Sequence, residues 1–436
     1  MRTLVIGAAR SGVAAANFLV ARAEPVVLAD KASEPSLPYA LDPRVERAFG
    51  REYPTLLDGV TRVVVSPGVP MTIPLIVAAQ SKGLPVLGEI ELAFQYAKGT
   101  IIAITGSNGK STTTALIGEI LSVAGRQPIV AGNIGEPLIA SLDPEQSRTY
   151  VLELSSFQLE AVETFRANVA LLLNVTPDHM DRYPDFEAYA AAKERIFRNQ
   201  QAGDTVIVNS SVREHTAHPQ GVRHWRFSAA EQIREGGWLD GEDMVLTLAG
   251  EEHRIPRASL KLEGQANVEN ALAAWLAAHA VGVDDRSVQI AFGTFAGLPH
   301  RMELVRERHG VRWVNDSKGT NVDATLKSLE GFDSGRVILI LGGKDKAGEF
   351  ERMRDLVALK ARAVLTIGSA AEKIAAALDG TTEIIPAGDM QSAVQWAASH
   401  AKRGQTVLLS PACASFDQYR NFEHRGDHFE ELVRAL

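Results

Sequence analysis

Apolar residues fall in short runs of Val, Ile and Leu that lack strict alternation with polar ones: Arg2 to Ile6, Val60 to Val65, Thr100 to Thr105, Tyr150 to Leu154, Val169 to Leu173, Val337 to Leu341, Ala363 to Ile367 and Thr406 to Leu409. A strand with one wet face alternates, so unbroken runs of this length suit strands buried on both faces. Most are followed by stretches of helical character, such as Ser11 to Arg22, Lys110 to Ala124 and Met390 to Ala401. The repeating unit is βαβ, and the fold class is α/β with mainly parallel sheets. No repeat of solenoid period is present.

At roughly 100 to 200 residues per domain, a chain of 436 residues predicts two to four domains, with three as the starting expectation. The Pro- and Gly-punctuated GLPVLGEIEL ends a first unit near residue 92, and GLPHRME opens a third near residue 299. The expected division is 1–92, 93–298 and 299–436. The first and third read as Rossmann-like and the second as P-loop ATPase-like. Residues 211–262 are more polar and irregular, which predicts an insertion beside the main sheet, free of motifs.

Composition narrows the classes. Hydrophobic residues make up 45% and charged residues 22%, as in ordinary soluble proteins, so the chain is expected to fold throughout. A net charge of −8 argues against a general nucleic-acid binder, which needs a basic surface. Cys413 is the only cysteine, so no intramolecular disulfide forms and cytoplasm is the default compartment. The apolar N-terminus is broken by Arg10 and two glycines and reads as a strand and a helix. No apolar run approaches the roughly 18 residues of a spanning helix, so no membrane partner is expected.

The strongest local signal is TGSNGKST, Thr105 to Thr112, between an apolar strand and a helix. Gly106 and Gly109 let backbone N–H groups turn toward phosphate oxygens at a helix N-terminus, Lys110 supplies a point charge, and Ser111 offers a hydroxyl to Mg²⁺. The full phosphate-loop pattern wants glycine at 104, where this chain has Ile104; a plain glycine turn capping a helix is the alternative. Glu153 ends the strand YVLE at the edge where ligands collect in open parallel sheets, a place for a carboxylate that holds Mg²⁺. NVTPDHMDRY puts Asp178, His179 and Asp181 on a loop after another strand, a set suited to a second metal or a substrate carboxylate. IGAARSG, with Asp30 ending the next strand, resembles the dinucleotide fingerprint with Ala9 in place of its second glycine. A close-packed strand-to-helix turn would also account for it. SPGVP, Ser66 to Pro70, and GNIG, with Asn133, add further candidate phosphate loops. PHRME, NDSKGTN, GGKDK and SPACASFDQYRNFEHRG fall at a hinge or after predicted strands.

Taken in order, TGSNGKST, ELSSFQL, NVTPDHMDRY, AAKERIF, PHRME, NDSKGTN and SPACASFDQYRNFEHRG resemble the Mur ligase family over the whole chain, and within it the branch that adds D-glutamate. The last motif separates this branch from the ligases that add diaminopimelate or lysine, whose Asp-Asn-Pro-Arg element is absent; folylpolyglutamate synthases lack the first domain. The resemblance implies a monomeric, ATP-dependent, amide-forming ligase whose partners are UDP-N-acetylmuramoyl-L-alanine and D-glutamate. It implies that Gly7, Ser11, Asp30, Ser66, Gly68 and Asn133 hold the UDP-sugar. Gly106, Ser107, Asn108, Gly109, Lys110, Ser111 and Thr112 would hold ATP, with Asn267 and Asn270 at the adenine and Arg301 and Asp316 approaching from the hinge and third domain. Ser111 and Glu153 would bind one Mg²⁺, and His179 a second with Lys193, carbamylated in this family by CO₂; on residue type alone, Lys193 reads as a solvated helix lysine. Lys318, Thr320, Lys346, Ser415 and Phe422 would form the D-glutamate pocket. The chain departs from the family pattern at Ala9, at Ala266 in place of histidine, and at Gly319 in place of alanine, the last predicting a looser loop. Other classes compatible with single motifs are a nicotinamide oxidoreductase, which leaves Lys110 unexplained, and a nucleotide-binding regulator without chemistry.

Overall fold

A computed structural model describes residues 2–50, 54–143, 145–180, 182–345 and 348–436. Asp181 and Lys346 lie outside the described residues. By contact density the chain divides into two compact units, one of residues 1–175, 185–263 and 267–295, the other of 176–184, 264–266 and 296–436.

The architecture is three-domain α/β, each domain on its own sheet. The first sheet contains β1 (Arg2–Ile6), β2 (Val26–Asp30), β3 (Glu46–Phe49), β4 (Val60–Val65) and β5 (Val86–Gly88), in the order β3-β2-β1-β4-β5. All its pairings are parallel, and the order reverses between β1 and β4, which creates a crevice at their carboxyl ends. The loops Gly7–Ala9 and Ser66–Pro70 leave the sheet there.

The second sheet has nine strands: β6 (Gly99–Thr105), β7 (Ile129–Gly132), β8 (Arg148–Glu153), β9 (Val169–Leu172), β10 (Thr205–Asn209), β11 (Arg223–Ser228), β12 (Gly236–Asp240), β13 (Asp243–Leu248) and β14 (Glu251–Pro256). Their order is β14-β13-β12-β11-β10-β9-β6-β8-β7, antiparallel only within β12 to β14. The expectation of an insertion beside the main sheet is therefore corrected. β11 pairs in parallel with β10 and β12 with β11, so the polar stretch extends the sheet itself. Its outer strands carry polar residues because they are wet on one face, as in EEHRIP, where only Ile255 is buried.

Within the first unit a shared core joins these two sheets: Val5, Leu19 and Ile90 pack in one cluster with Ile101, Tyr150 and Phe165. The helix Glu89–Phe94 lies in this seam and turns two buried carboxylates to local use. Glu91 accepts the amides of Glu163, Thr164 and Phe165 at 2.9 Å and the Thr164 hydroxyl, while Glu89 accepts from the Ile139 amide at 2.7 Å.

The third sheet contains β15 (Glu303–Arg308), β16 (Val311–Asn315), β17 (Val337–Gly342), β18 (Ala361–Ile367), β19 (Glu383–Gly388) and β20 (Thr406–Leu409), in the order β15-β16-β20-β17-β18-β19. β16, β20 and β17 are adjacent and parallel, with Asn315 and Ile340 both beside Leu409, so the three loops that follow them emerge at one edge. Among the described residues no helix is long and apolar enough to cross a membrane.

Candidate active site

β6 sits between β8 and β9, with Ile104 beside Glu153 and Thr105 beside Leu172, so the loop after β6 is flanked by both neighbours' carboxyl ends. Ile104 is fully buried in a strand that runs on through Thr105, so the turn begins at Gly106 and not at 104 as the full phosphate-loop pattern assumes. Gly109 has φ +85°, the left-handed conformation that favours glycine, at the start of the helix Lys110–Val123. Lys110 Nζ donates to the carbonyls of Gly106 (2.6 Å) and Ser107 (2.9 Å), keeping its charge over the loop, and the Ser111 and Thr112 side chains are buried at its base.

Residues far apart in sequence hold this loop. Asn174 accepts the Asn108 amide (2.8 Å) and donates to the Asn108 carbonyl (3.0 Å), and its own carbonyl accepts the Ser107 amide. Ser107 Oγ lies 3.0 Å from the Tyr189 hydroxyl, on the helix Phe186–Glu194 that also carries Lys193. Lys193 is only 2% exposed and donates to the Gly106 carbonyl at 2.9 Å, so the reading of a solvated lysine is corrected: helix packing turns it inward onto the phosphate loop. Asn270 is buried against the loop, where a Cβ on Gly109 would stand 2.4 Å from its Oδ1. It accepts from Thr113 Oγ1 and donates to Asn267, each at 3.2 Å.

Glu153 is 2% exposed. Its Oε1 accepts from Asn133 Nδ2 at 2.7 Å, and Asn133 N donates to the Glu153 carbonyl at 2.8 Å. Its Oε2 is buried with no hydrogen-bond partner among the described residues. A buried carboxylate oxygen left unpaired is costly, and a bound cation would satisfy it. The residues present therefore fit a Mg²⁺.

At the crevice of the first sheet, Gly7 has φ +96°, and a Cβ on Gly12 would stand 1.8 Å from the Gly7 carbonyl, so the helix Arg10–Ala21 starts in backbone contact with the strand turn. This is the close packing that the third glycine of the fingerprint allows. Ala9 is extended (φ −79°, ψ −175°), so the missing second glycine is not required by the backbone. Ser66 is buried and donates to the Gly7 carbonyl at 2.9 Å; Asp30 accepts the amides of Ala8 (2.7 Å) and Ala32 (2.9 Å). Ser11 is half-buried, and Gly68 is exposed with open space where a side chain would go.

In the second unit, Asp316 is buried at the end of β16. Its Oδ2 accepts the hydroxyls of Ser410 and Ser328, each at 2.7 Å. Burial pushes its carboxyl up, and the two hydroxyls, the Arg301 charge and the Met302 amide partly offset this. A Cβ on Gly319 would meet Ser410 Oγ at 2.6 Å and Asp316 Oδ2 at 2.8 Å. Glycine here makes room for the Asp316–Ser410 bond. Lys318 Nζ lies 4.3 Å from the centre of the Phe422 ring. Thr320 is half-buried on the same loop and Ser415 is buried on the loop after β20; the two loops are joined by the Ala412 amide donating to the Gly319 carbonyl at 2.9 Å. His179 belongs to this unit, on the 176–184 loop, where Asn321 Nδ2 donates to Asp178 Oδ2 at 3.0 Å.

Sequence reasoning missed Asn174, Tyr189, Asn321 and Arg425. Arg425, 1% exposed, donates to Ser317 Oγ (2.9 Å), the Ser317 carbonyl (2.8 Å) and the Cys413 carbonyl (3.1 Å), and burial pulls its guanidinium down to about 10. It fastens two motif loops together. The available signal was an arginine inside the polar run that follows SPACAS.

A phosphate loop after an inner, parallel-paired strand of the nine-stranded sheet, a doubly wound sheet before it and an α/β unit after it define a multidomain enzyme of the nucleotide-dependent ligase class. Residues 1–88 match the description "Mur ligase MurD-like, N-terminal domain", residues 104–278 "Mur ligase middle domain" and residues 300–413 "Mur ligase, glutamate ligase domain". The chain is 44% identical over 445 residues to the UDP-N-acetylmuramoylalanine–D-glutamate ligase of Koribacter versatilis, covering 100% of this chain and 97% of that one. It is 44% identical over 451 residues to the protein of the same name from Pelotomaculum thermopropionicum, covering 100% and 98%. Among solved structures it resembles the UDP-N-acetylmuramate–alanine ligase of Thermotoga maritima (TM-score 0.61, 17% identity, 100% and 99% covered). It also resembles the MurF ligase of that organism in complex with ADP (TM-score 0.62, 17% identity, 95% and 96% covered). The chain belongs to the Mur ligase family, ATP-dependent enzymes that form amide bonds.

Proposed function

We propose that this chain joins D-glutamate to UDP-N-acetylmuramoyl-L-alanine with consumption of ATP, a step in building peptidoglycan precursors, and that it acts as a cytoplasmic monomer. The names of full-length relatives at 44% identity support the substrates. The observation that carries the chemistry is the phosphate loop with Lys110 folded over it and the unpaired Glu153 oxygen buried beside it.

A carboxylate and an ammonium do not condense in water without activation. The alanyl carboxylate oxygen attacks the γ-phosphorus of ATP, the bond to the β-phosphate oxygen breaks, and ADP leaves behind an acyl phosphate. The D-glutamate amine then attacks the carbonyl carbon, the tetrahedral intermediate collapses, and phosphate departs as the amine loses its proton. The loop of Gly106, Ser107, Asn108 and Gly109, held in shape by Asn174, encloses the phosphates, Lys110 neutralises developing charge, and Thr112 lines the base of the loop. Two Mg²⁺ ions, when bound, neutralise the phosphoryl oxygens. Ser111 and Glu153 are the residues to hold one, with Asn133 orienting Glu153; His179 and Lys193, the latter as a carbamate, are those to hold the other. In this reading Gly7, Ser11, Asp30, Ser66 and Gly68 receive the UDP-sugar at the first crevice, Asn267 and Asn270 lie toward the adenine, and Arg301 and Asp316 approach ATP from the third domain. Lys318, Thr320, Lys346, Ser415 and Phe422 receive D-glutamate. The working divisions are 1–92, 93–298 and 299–436.

The test is phosphate release by purified enzyme with ATP, Mg²⁺, UDP-N-acetylmuramoyl-L-alanine and one amino acid at a time. Release with D-glutamate, and little with L-glutamate, L-alanine, L-lysine or meso-diaminopimelate, is expected. Release without any amino acid, or equal release with all of them, would overturn the assignment.

A further inference from the structure

The segment between β10 and β11, expected to be free of motifs, carries Glu214 and His218, and His224 is the second residue of β11. Glu214 Oε1 lies 3.1 Å from His218 Nε2 and 3.2 Å from His224 Nε2. Oε2 lies 2.9 Å from His224 Nε2 and 2.8 Å from Arg226 Nη2. One ligand atom from each of Glu214, His218 and His224 falls within 4.8 Å of the other two. The Glu214 side chain is 7% exposed, whereas His224, at 33%, opens the cluster to solvent.

Glu214 meets His218 at Oε1 and His224 at Oε2, which draws two imidazole Nε2 atoms and a carboxylate together at a partly open position. Two ligand bonds of about 2.0–2.1 Å that enclose an angle of about 100°, near tetrahedral, span the observed separation.

We propose that Glu214, His218 and His224 form a binding site for a divalent ion of the Zn²⁺ class, separate from the phosphate loop. Two imidazoles and a carboxylate select late first-row metals, whereas Mg²⁺ takes oxygen ligands. Arg226 retains Oε2 and leaves Oε1 to the ion. Its positive charge, and a buried His218 Nδ1 with no partner among the described residues, weaken the site, a missing outer partner by about 10- to 100-fold. The site has a structural target. The His215 amide (3.0 Å) and Thr216 hydroxyl (2.7 Å) donate to the carboxylate of Glu194, which follows Lys193, and the His218 ring packs edge-on against Phe197 at 5.4 Å. An ion here pins the 211–222 loop against the helix that carries Lys193.

The experiment uses untagged, full-length protein in saturating Mg²⁺ and ADP, titrated with Zn²⁺ by calorimetry and with Co²⁺ by visible absorption. One Zn²⁺ per chain is expected, together with the intense d–d bands of a four-coordinate Co²⁺. Glu214→Gln and His224→Ala should each weaken binding at least 10-fold with unchanged circular dichroism, and His253→Ala should leave it intact. Three results would overturn the proposal: no Zn²⁺ uptake by folded wild type, uptake insensitive to both ligand variants, or competition by Mg²⁺ at similar concentration.

Discussion

Gly109→Ala tests how tightly the helix Gln265–Ala280 clamps the phosphate loop. At φ +85° an alanine costs about 1 to 2 kcal/mol of backbone strain. Its Cβ would also stand 2.4 Å from Asn270 Oδ1, so the Asn270 side chain must turn away and release its bonds to Thr113 and Asn267. At about 1 kcal/mol for each bond, the variant should lose about 3 to 4 kcal/mol locally. In an Asn270→Ala background both bonds are already gone and the overlap is removed, so the same substitution should cost only the backbone share. The double-mutant cycle therefore predicts a coupling of about 2 kcal/mol. Hydrogen exchange of the amides in Lys110–Val123 reads that local free energy, and ADP affinity by calorimetry reports whether the loop still accepts a nucleotide. Protection within about 0.5 kcal/mol of wild type, or an equal penalty in both backgrounds, would refute the clamp.

Other substitutions probe separate parts of the argument. Lys110→Ala should lower turnover by roughly 10² to 10³ or more in the phosphate-release assay, by analogy with losing one preorganised charge-stabilising group; near-normal turnover would remove its assigned role. Burial pushes the Glu89 carboxyl from the ordinary 4.5 to about 7. Between those values the folded chain holds a proton that the unfolded chain lacks, so stability falls as pH rises through the window. Wild type should lose about 2 to 3 kcal/mol relative to Glu89→Gln between pH 5 and 8, measured by urea unfolding, and parallel pH profiles would contradict this. Gly12→Ala, driven against a backbone carbonyl, should cost about 3 kcal/mol or more, whereas Gly68→Ala, into open space, should stay within about 0.5 kcal/mol in the same denaturation series. Arg425→Ala should cost about 2 to 4 kcal/mol and raise the KM for D-glutamate, because three bonds joining the two motif loops are lost; an unchanged KM would separate Arg425 from the pocket.

Sequence alone determined the α/β class, the eight runs of buried strand and the positions of the motif loops. These follow from local features: unbroken apolar runs, glycines at turns, and the rule that ligands gather at the carboxyl ends of parallel strands. It could not reveal which partner each polar group has. Asn133 reads as one more residue of a glycine loop, and only the pairing of β7 with β8 turns its amide onto Glu153. Lys193 reads as a wet helix lysine until the helix Phe186–Glu194 packs beside the phosphate loop. The polar stretch after residue 211 looked detached because edge strands keep one solvated face, and its place in the main sheet rests on pairing with β10. Chain-local patterns thus located the chemistry, while tertiary packing decided which buried oxygen stays unpaired for a cation, which glycine has no room for a methyl group, and which histidines meet a glutamate.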